Sequence, residues 1–306
     1  RFDAPVPPGG YLWWYLDALS DDGQHGLTVI AFVGSVFSPY YWWARHLDPE
    51  DHVCINICLY GPRRHHWAMT ERGRGALDRG ARHFRVGPSA LRWDGTRLTL
   101  DFDERASPFP RPLPYPMRGR VTLHPEALGQ EAHSLDPQNR HRWEPVAPMA
   151  RAEITVSEPS LAWAGHGYID TNSGTEMLED GFRRWDWSRA TLPDGAAAIL
   201  YDLTYPDGTQ KSIARRIAPD GTPEPFAPPP RQRLPAGLWG IARQTQSEAP
   251  PKLTRRFEEA PFYTRAAIET SLLGARVPAV HETFSGRRFA SPLVKAVLPM
   301  RMPRRP

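Results

Sequence analysis

The stretch GHGYID, residues 165–170, sets polar side chains at every second position. In an extended strand, residues two apart share a face, so His166, Tyr168 and Asp170 would form one row, with Asn172 next. An imidazole, a phenol and a carboxyl group in line can exchange protons with one another or with a ligand. The simpler interpretation is a solvated strand face with a mixed polar row, and this stretch alone leaves both open.

The chain that contains this row has the composition of a folded, globular protein. It has 306 residues, 40% of them hydrophobic, which suggests one large domain or two of ordinary size. The 34 prolines and 24 glycines argue against long helices and favour many short strands joined by turns. Several of the 11 tryptophans come in pairs, as in a core or an aromatic-lined cavity.

The charge distribution does not indicate nucleic-acid binding. The net charge is +4, and the 38 basic residues are almost all arginines dispersed among 34 acidic ones. Apart from the last few residues there is no arginine-rich arm, so no nucleic-acid partner is expected.

The cysteines and histidines predict neither a disulfide nor a metal site. Cys54 and Cys58 on one strand would lie about 13 Å apart, beyond the reach of a disulfide, which fits a reducing compartment. His65 and His66 are adjacent, so on a strand they would point to opposite faces and could not share an ion with His52.

Alternation of apolar and polar residues dominates the chain and predicts an all-β, antiparallel fold. Strands are expected at 11–19, 27–37, 52–61, 65–71 and 117–125, with hairpins at 89–104 and 196–217. Residues 262–274 fit a helix or a strand, and their threonines and isoleucine favour a strand.

Two prolines near residue 145, followed by a new strand from Ala152, predict a domain boundary between residues 143 and 150. The predicted domains are residues 1–146 and 147–306. Antiparallel meanders of this size commonly form barrels or sandwiches, which remove open edges and can enclose one ligand.

Several long stretches together resemble the bacterial carotenoid 1,2-hydratases, also called hydroxyneurosporene synthases. They are GGYLWWYLDALSDDGQHGLTVIAFVGSVFSPYY, WAMTERGRG, GPSALRWDG, GYIDTNSG, WDWSRA and APFYTRA, and they extend over essentially the whole chain. The resemblance implies two tandem lipocalin-like β units and cofactor-free addition of water to the terminal 1,2 double bond of acyclic carotenoids such as neurosporene and lycopene. Lipocalin-like enzymes that guide cycloadditions share this fold, so a polyene carrier or a cyclase stays an alternative.

Hydration of such an alkene makes definite demands on the site. An acid must protonate the less substituted carbon, the surroundings must stabilise a tertiary carbocation, and one water must be admitted. No metal, nucleotide or other cofactor is required. Asp170 can be the acid if burial raises its pKa from about 3.9, and aromatic faces can stabilise the cation.

The resemblance also implies that His141 and Trp143, two apart in HRWEPVAP, meet Tyr168 and Asp170 in the site. His141 would hold the carboxyl or position the water. Trp143 would face the cation, and Tyr168 would contribute its hydroxyl or its ring.

Each of these residues has a simpler alternative. Asp170 could stabilise a turn, His141 could lie on the surface, and Trp143 and Tyr168 could be core. Asp17, Asp202 and Glu282 are other carboxylates near aromatic or apolar stretches, with Asp17 the best reserve acid.

A carotenoid resides in a membrane, yet the longest apolar run, residues 26–37, is too short to span one. We therefore expect a cytoplasmic protein, peripheral to the inner or an intracytoplasmic membrane. The C-terminal stretch LVKAVLPMRMPRRP combines apolar and basic residues and is the predicted contact with lipid, unless it forms a final strand.

Overall fold

The computed structural model describes residues 1–107 and 113–305, and it confirms the all-β class. The strands are β1 (Tyr11–Ser20), β2 (Gly26–Val33), β3 (Val53–Tyr60), β4 (His65–Ala68), β5 (Glu71–Arg72), β6 (Leu77–Gly80), β7 (His83–Val86), β8 (Ser89–Trp93), β9 (Leu98–Ala106), β10 (Tyr115–Ala127), β11 (His133–Ser134), β12 (His141–Glu158), β13 (Leu161–Gly174), β14 (Arg184–Thr191), β15 (Ala197–Thr204), β16 (Gln210–Ile217), β17 (Pro223–Pro225), β18 (Arg231–Leu234), β19 (Arg243–Gln246), β20 (Lys252–Glu259), β21 (Tyr263–Leu272), β22 (Ala275–Ser285) and β23 (Arg304–Arg305). The helices are α1 (Pro39–Trp43), α2 (Leu178–Gly181), α3 (Gly286–Phe289) and α4 (Pro292–Val297), with 3-10 turns at Pro49–Asp51, Arg74–Ala76 and Leu298–Met300.

Two sheets contain most of these strands. The first has the order β23-β5-β3-β2-β1-β13-β12-β10-β9-β8-β7-β6, with β4 beside β3 and β11 beside β12. The second has the order β17-β16-β15-β14-β22-β21-β20, and β18 pairs with β19 separately. Residues 262–274, which fit either element, contain strand β21.

Strand β1 is buried on both faces, and this places it between two cores. Leu12, Trp14 and Leu16 point into a core made only by the first sheet. The alternate residues Tyr11, Trp13 and Tyr15 point the other way, into a core shared with the second sheet. The period of two in YLWWYLDAL therefore separates an apolar face from a face that carries phenol, indole and carboxyl groups.

The predicted domain boundary at residues 146/147 falls inside a continuous strand. Pro145 and Pro148, which suggested the boundary, lie in β12 where its pairing with β13 shifts register between Pro145 and Ala150. Proline is tolerated at such bulges because no ladder hydrogen bond is required there. The chain passes from the first sheet to the second between β13 and β14, and it returns to the first sheet with the short β23.

Other differences from the predicted strands have local causes. The strand expected at 27–37 ends at Val33, and Ser38 then caps α1 by accepting a hydrogen bond from the Tyr40 amide. Residues 65–71 form two short strands in place of one. The C-terminal stretch is not a final barrel strand: it forms α4 and a 3-10 turn before the short β23.

Candidate active site

Strand β13 carries the polar row predicted for residues 165–172, and most of the row is buried. Tyr168, Asp170 and Asn172 are each no more than 4% exposed. Residues 161–174 are one strand, so Asp170 does not stabilise a turn. His166, by contrast, is exposed near the start of the strand and lies outside the buried part of the row.

The Asp170 carboxyl group is held by three neutral donors. Trp143 Nε1 and the Tyr168 hydroxyl both donate to Oδ2, each at 2.9 Å, and Asn172 Nδ2 donates to Oδ1 at 3.1 Å. Oδ2 thus has two hydrogen bonds already, whereas Oδ1 has a lone pair left to carry a proton. When Asp170 is protonated, the proton belongs on Oδ1, beside Asn172.

Burial keeps this carboxyl group protonated near neutral pH. Loss of hydration raises the pKa of Asp170 to about 8, although the hydrogen bonds from Trp143 and Tyr168 oppose the shift. The negative charges of Glu282 and Asp17 raise it further. A neutral carboxylic acid at pH 7 is the state that general acid catalysis requires.

The Asp170 carboxyl group faces a cavity between the two sheets. Its volume is about 340 Å³. The acid lies among aromatic walls from both sheets, with charged groups elsewhere in the lining. The lining comprises Trp13, Tyr15, Thr28, Ile30, Phe32, Phe37, Asn56, Trp67, Met69, Asp170, Asn172, Trp185, Trp187, Tyr201, Trp239, Glu258, Glu259, Ala260, Pro261, Phe262, Tyr263, Glu282, Val297, Leu298, Arg301 and Met302.

Aromatic rings pack closely around the acid. Trp187 lies 5.7 Å from the Tyr15 ring and 5.4 Å from the Tyr168 ring, measured between centroids. Trp13 forms an edge contact with Phe32 on the first sheet. An apolar, aromatic enclosure of this kind excludes water and presents ring faces to a developing positive charge.

Trp143 lies behind the acid and does not line the cavity. Its ring stacks against His133, with centroids 5.1 Å apart, and meets the edge of Tyr201, which does line the cavity. Its contact with the site is the hydrogen bond to Asp170. The sequence predicts that Trp143 faces the cation. In the structure, its neighbour Tyr201 lines the cavity and Trp143 does not.

His141 is fully buried, so it is not the surface residue of the simpler interpretation. Its Nδ1 pairs with the Tyr11 hydroxyl at 2.9 Å and its Nε2 with Glu176 Oε1 at 3.2 Å. Burial lowers the pKa of His141 to about 4, which keeps the ring neutral. Asp170 is not among these partners: His141 bonds to Tyr11, which stacks on Trp13 of the cavity wall.

Two of the three reserve carboxylates, Asp17 and Asp202, are occupied elsewhere. Asp17 is fully buried, and it is ion-paired with Arg189 and, at 3.3 Å, with Arg265. Asp202 accepts a hydrogen bond from Gln246 and is not among the cavity-lining residues. Glu282, the third, lines the same cavity as Asp170.

Reasoning from the sequence missed the cavity residues Tyr15 and Trp187, and it missed Arg265, which is ion-paired with Glu282 of the cavity wall. Tyr15 and Trp187 could have been found, because YLWWYLD and WDWSRA each carry aromatic residues at a spacing of two. Arg265 has no such signal: it is one arginine in FYTRAAIET, and its burial beside two carboxylates depends on sheet packing.

Known proteins are similar to this chain over nearly its whole length. The model of the family described as carotenoid hydratase CrtC matches residues 29–306. The acyclic carotenoid 1,2-hydratase of Thiocapsa roseopersicina is 51% identical over 99% of this chain and 75% of its own length. That of Rubrivivax gelatinosus is 48% identical over 100% of this chain and 76% of its own length.

Solved structures share the fold at low sequence identity. A putative AttH from Nitrosomonas europaea has a TM-score of 0.61 at 14% identity, covering 92% of this chain and 99% of that one. Kievitone hydratase from Nectria haematococca has a TM-score of 0.53 at 11% identity, covering 92% and 90%. The family match and the full-length relatives agree with the resemblance read from the sequence, and the chain belongs to the carotenoid hydratase family.

Proposed function

We propose that this protein is an acyclic carotenoid 1,2-hydratase, with neurosporene, lycopene or a derivative as substrate and water as the second reactant. The observation that carries the proposal is a buried carboxyl group, protonated near neutral pH, facing an aromatic cavity. A carrier would need the apolar cavity but not the buried acid.

In the proposed reaction, Asp170 transfers the proton on Oδ1 to C2 of the terminal double bond. The electron pair of that bond forms the new C–H bond and leaves a tertiary cation at C1. The ring faces of Trp13, Tyr15 and Trp187 stabilise this charge, with an energy on the order of 2 kcal/mol for a desolvated cation–π contact. Water then attacks C1 and, after losing a proton, gives the tertiary alcohol.

A cavity of about 340 Å³ suits one end of a long polyene, because it is at the small end of the range for ligand pockets. The rest of a C40 chain would leave through a mouth at Trp239 and Val297, two cavity-lining residues whose side chains are also exposed to solvent. A cavity that holds only one end of the substrate suits a reaction confined to the terminal double bond.

The proposed function is tested by incubating the purified protein with lycopene in H2-18O without added cofactors. We expect a 1-hydroxy carotenoid that carries one 18O atom. Unchanged lycopene that stays bound would indicate a carrier, and an unlabelled cyclic isomer would indicate a cyclase.

We propose that Trp143 is a positioning residue that acts through Asp170. Trp143→Phe and Trp143→Leu both remove the indole N–H, so we expect both to lose activity by a similar factor, about tenfold. Because that N–H favours the charged carboxylate, its loss should also move the alkaline limb of the pH–rate profile upward. The measurement is kcat/KM against pH, and clearly higher activity in the Phe variant would instead indicate that the ring faces the cation.

We propose that the protein docks on an anionic bilayer through the surface around the cavity mouth. No helix in residues 1–107 and 113–305 is long and apolar enough to cross a membrane. Large apolar side chains are nevertheless exposed on three segments near the mouth, at 39–83% of their full area. This mouth surface consists of Trp42, Trp43, Leu238, Trp239, Leu293, Val297 and Met300.

The expected contribution of the basic C-terminal residues is smaller than the sequence suggested. Lys295 is buried and ion-paired with Glu179 at 2.8 Å, and Arg304 is paired with Asp51 and Glu71. Arg301 and Arg305 remain on the exposed surface. Apolar contact should therefore dominate docking, with a modest salt dependence.

Vesicle flotation on a mixture of phosphatidylcholine and phosphatidylglycerol checks this surface. The variant Leu293→Ser with Met300→Ser should bind at least about tenfold more weakly, since a buried leucine side chain contributes roughly 1.5–3 kcal/mol. Leu273→Ser is the control: Leu273 is 43% exposed but directly follows β21, which runs roughly 30 Å from Tyr263 of the cavity wall to Leu272. Equal flotation of the two variants would exclude the mouth surface as the docking site.

A further inference from the structure

Glu282 and Asp170 face the same cavity from opposite sheets. Asp170 belongs to β13 of the first sheet, and Glu282 belongs to β22 of the second. The Glu282 side chain is 11% exposed, and it lines the cavity. Tyr15, the register partner of Asp170 on β1, donates its hydroxyl hydrogen to Glu282 Oε1 at 2.7 Å.

The two carboxyl groups have opposite electrostatic surroundings. Asp170 receives hydrogen bonds from neutral groups only. Glu282 is ion-paired with the buried Arg265 guanidinium, which favours its charged form. Such a difference separates an acid from a base within one site.

The charges behind Glu282 balance when Glu282 is ionised. Asp17 is paired with both Arg189 and Arg265, and Arg265 is shared with Glu282, so two carboxylates meet two guanidinium groups. Burial still raises the pKa of Glu282 above its ordinary value, with Arg265 as the main opposing influence. Glu282 is therefore a better proton acceptor than a solvated glutamate.

We propose that Glu282 is the general base of the hydration, accepting a proton from the water that attacks the cation. This inference rests on the proposed function. The water oxygen forms its bond to C1 while one of its O–H bonds breaks, and that proton goes to Glu282. The proton lost by Asp170 to C2 is restored when Glu282 returns its proton to Asp170 through water in the cavity.

The Glu282 carboxylate also contributes to the preceding step, the protonation of C2 by Asp170. Its negative charge raises the pKa of Asp170, and it faces the space where the cation forms. Proton donation from one sheet and proton acceptance on the other add the elements of water from two sides of the double bond. A purely structural Glu282 would instead serve only to neutralise Arg265.

The test separates protonation from water capture by using D2O. In Glu282→Gln, Asp170 can still deuterate C2, and a cation that is not captured returns to alkene by losing a proton or deuteron. Hydration should fall by about 100-fold, the typical effect of losing a general base, while deuterium still enters recovered lycopene. Loss of the charge slows protonation and so reduces both products alike, whereas loss of the base reduces only alcohol formation. The ratio of deuterium exchange to alcohol formation, measured by mass spectrometry, should therefore rise above that of wild type.

Parallel loss of exchange and hydration in Glu282→Gln would overturn the inference, and so would an unchanged rate of hydration. Glu104→Gln is the matched control, because Glu104 is a buried glutamate paired with Arg72 at 2.8 Å outside the cavity. It should lower the melting temperature without changing the ratio. Wild-type protein that forms no alcohol would overturn the proposed function itself, which is a distinct result.

If Glu282→Gln does not fold, the same ratio is measured on Glu282→Asp. This variant keeps the charge beside Arg265 but withdraws the carboxylate by one methylene. A raised ratio with slower hydration would support the base, whereas a wild-type ratio would overturn it.

Discussion

Asp170→Asn should lower hydration of lycopene by at least about 100-fold, the scale of losing a general acid. The amide keeps the shape of the carboxyl group and can still accept hydrogen bonds from Trp143 and Tyr168. It has no acidic proton to give to C2, so the cation does not form. The measurement is alcohol formation under single-turnover conditions, with deuterium exchange into lycopene lost together with hydration.

Near-normal turnover in Asp170→Asn would assign the proton to another group. Asp17 is a poor substitute, because it is ion-paired with Arg189 and Arg265 and does not line the cavity. Glu282 would then be the group to examine, since it lines the same cavity and its charge acts on Asp170.

The same substitution should make the protein more stable. The folded-state pKa of Asp170, about 8, lies above the ordinary value of 3.8. Between these values the unfolded chain ionises while the folded protein holds its proton, so wild-type stability declines as pH rises and levels off above pH 8. Each pKa unit corresponds to about 1.4 kcal/mol. Above pH 8, the free energy of unfolding of Asp170→Asn should therefore exceed that of wild type by several kcal/mol.

Chemical denaturation at a series of pH values checks this linkage. We expect wild type and Asp170→Asn to differ little near pH 4 and increasingly up to about pH 8. A constant difference across this range would mean that Asp170 is not buried in its protonated form. Loss of activity with gain of stability is the usual signature of a functional group held against its own solvation.

The rate of hydration should fall steeply above pH 8. Only protonated Asp170 can donate, so kcat/KM should drop about tenfold per pH unit once the pH exceeds the pKa of about 8. By pH 10 the loss should be about 100-fold, provided that circular dichroism shows the protein still folded. A profile that stays flat to pH 10 would contradict Asp170 as the acid.

The position of this limb also tests the hydrogen bonds to the carboxyl group. Tyr168→Phe removes a donor to Oδ2 that lowers the Asp170 pKa. Its alkaline limb should therefore lie above that of wild type. A limb unchanged in Tyr168→Phe and in the Trp143 variants would mean that these donors do not act on the proton that reacts.

Much of the fold could be predicted from local patterns. The sequence predicts a strand at residues 11–19 and an extended row at residues 165–172, and both lie in strands, β1 and β13. Asp94-Gly95 and Asp207-Gly208 predict hairpin turns because glycine adopts positive φ, here +109° and +88°. The domain boundary based on the prolines at 145 and 148 stays a prediction, although both prolines lie within β12, where the pairing with β13 shifts register.

Some features of the candidate site could also be predicted from the sequence, and others could not. The sequence by itself determined the family, the strand that carries Tyr168, Asp170 and Asn172, and their common face, because a strand repeats every two residues. It could not determine that Trp143 donates to Asp170 across 27 positions, since that depends on the pairing of β12 with β13.

Only the tertiary structure decided which charged groups the second sheet brings to the side of the cavity that faces Asp170. Glu282 and Arg265 come from neighbouring strands of the second sheet, more than 90 residues after Asp170, and Glu282 lines the cavity while Arg265 is ion-paired with it. Tertiary packing also removes water from Asp170 and raises its pKa to about 8. Burial and charge are sums over neighbours that the chain assembles only by folding, so proton affinities cannot be read from local sequence.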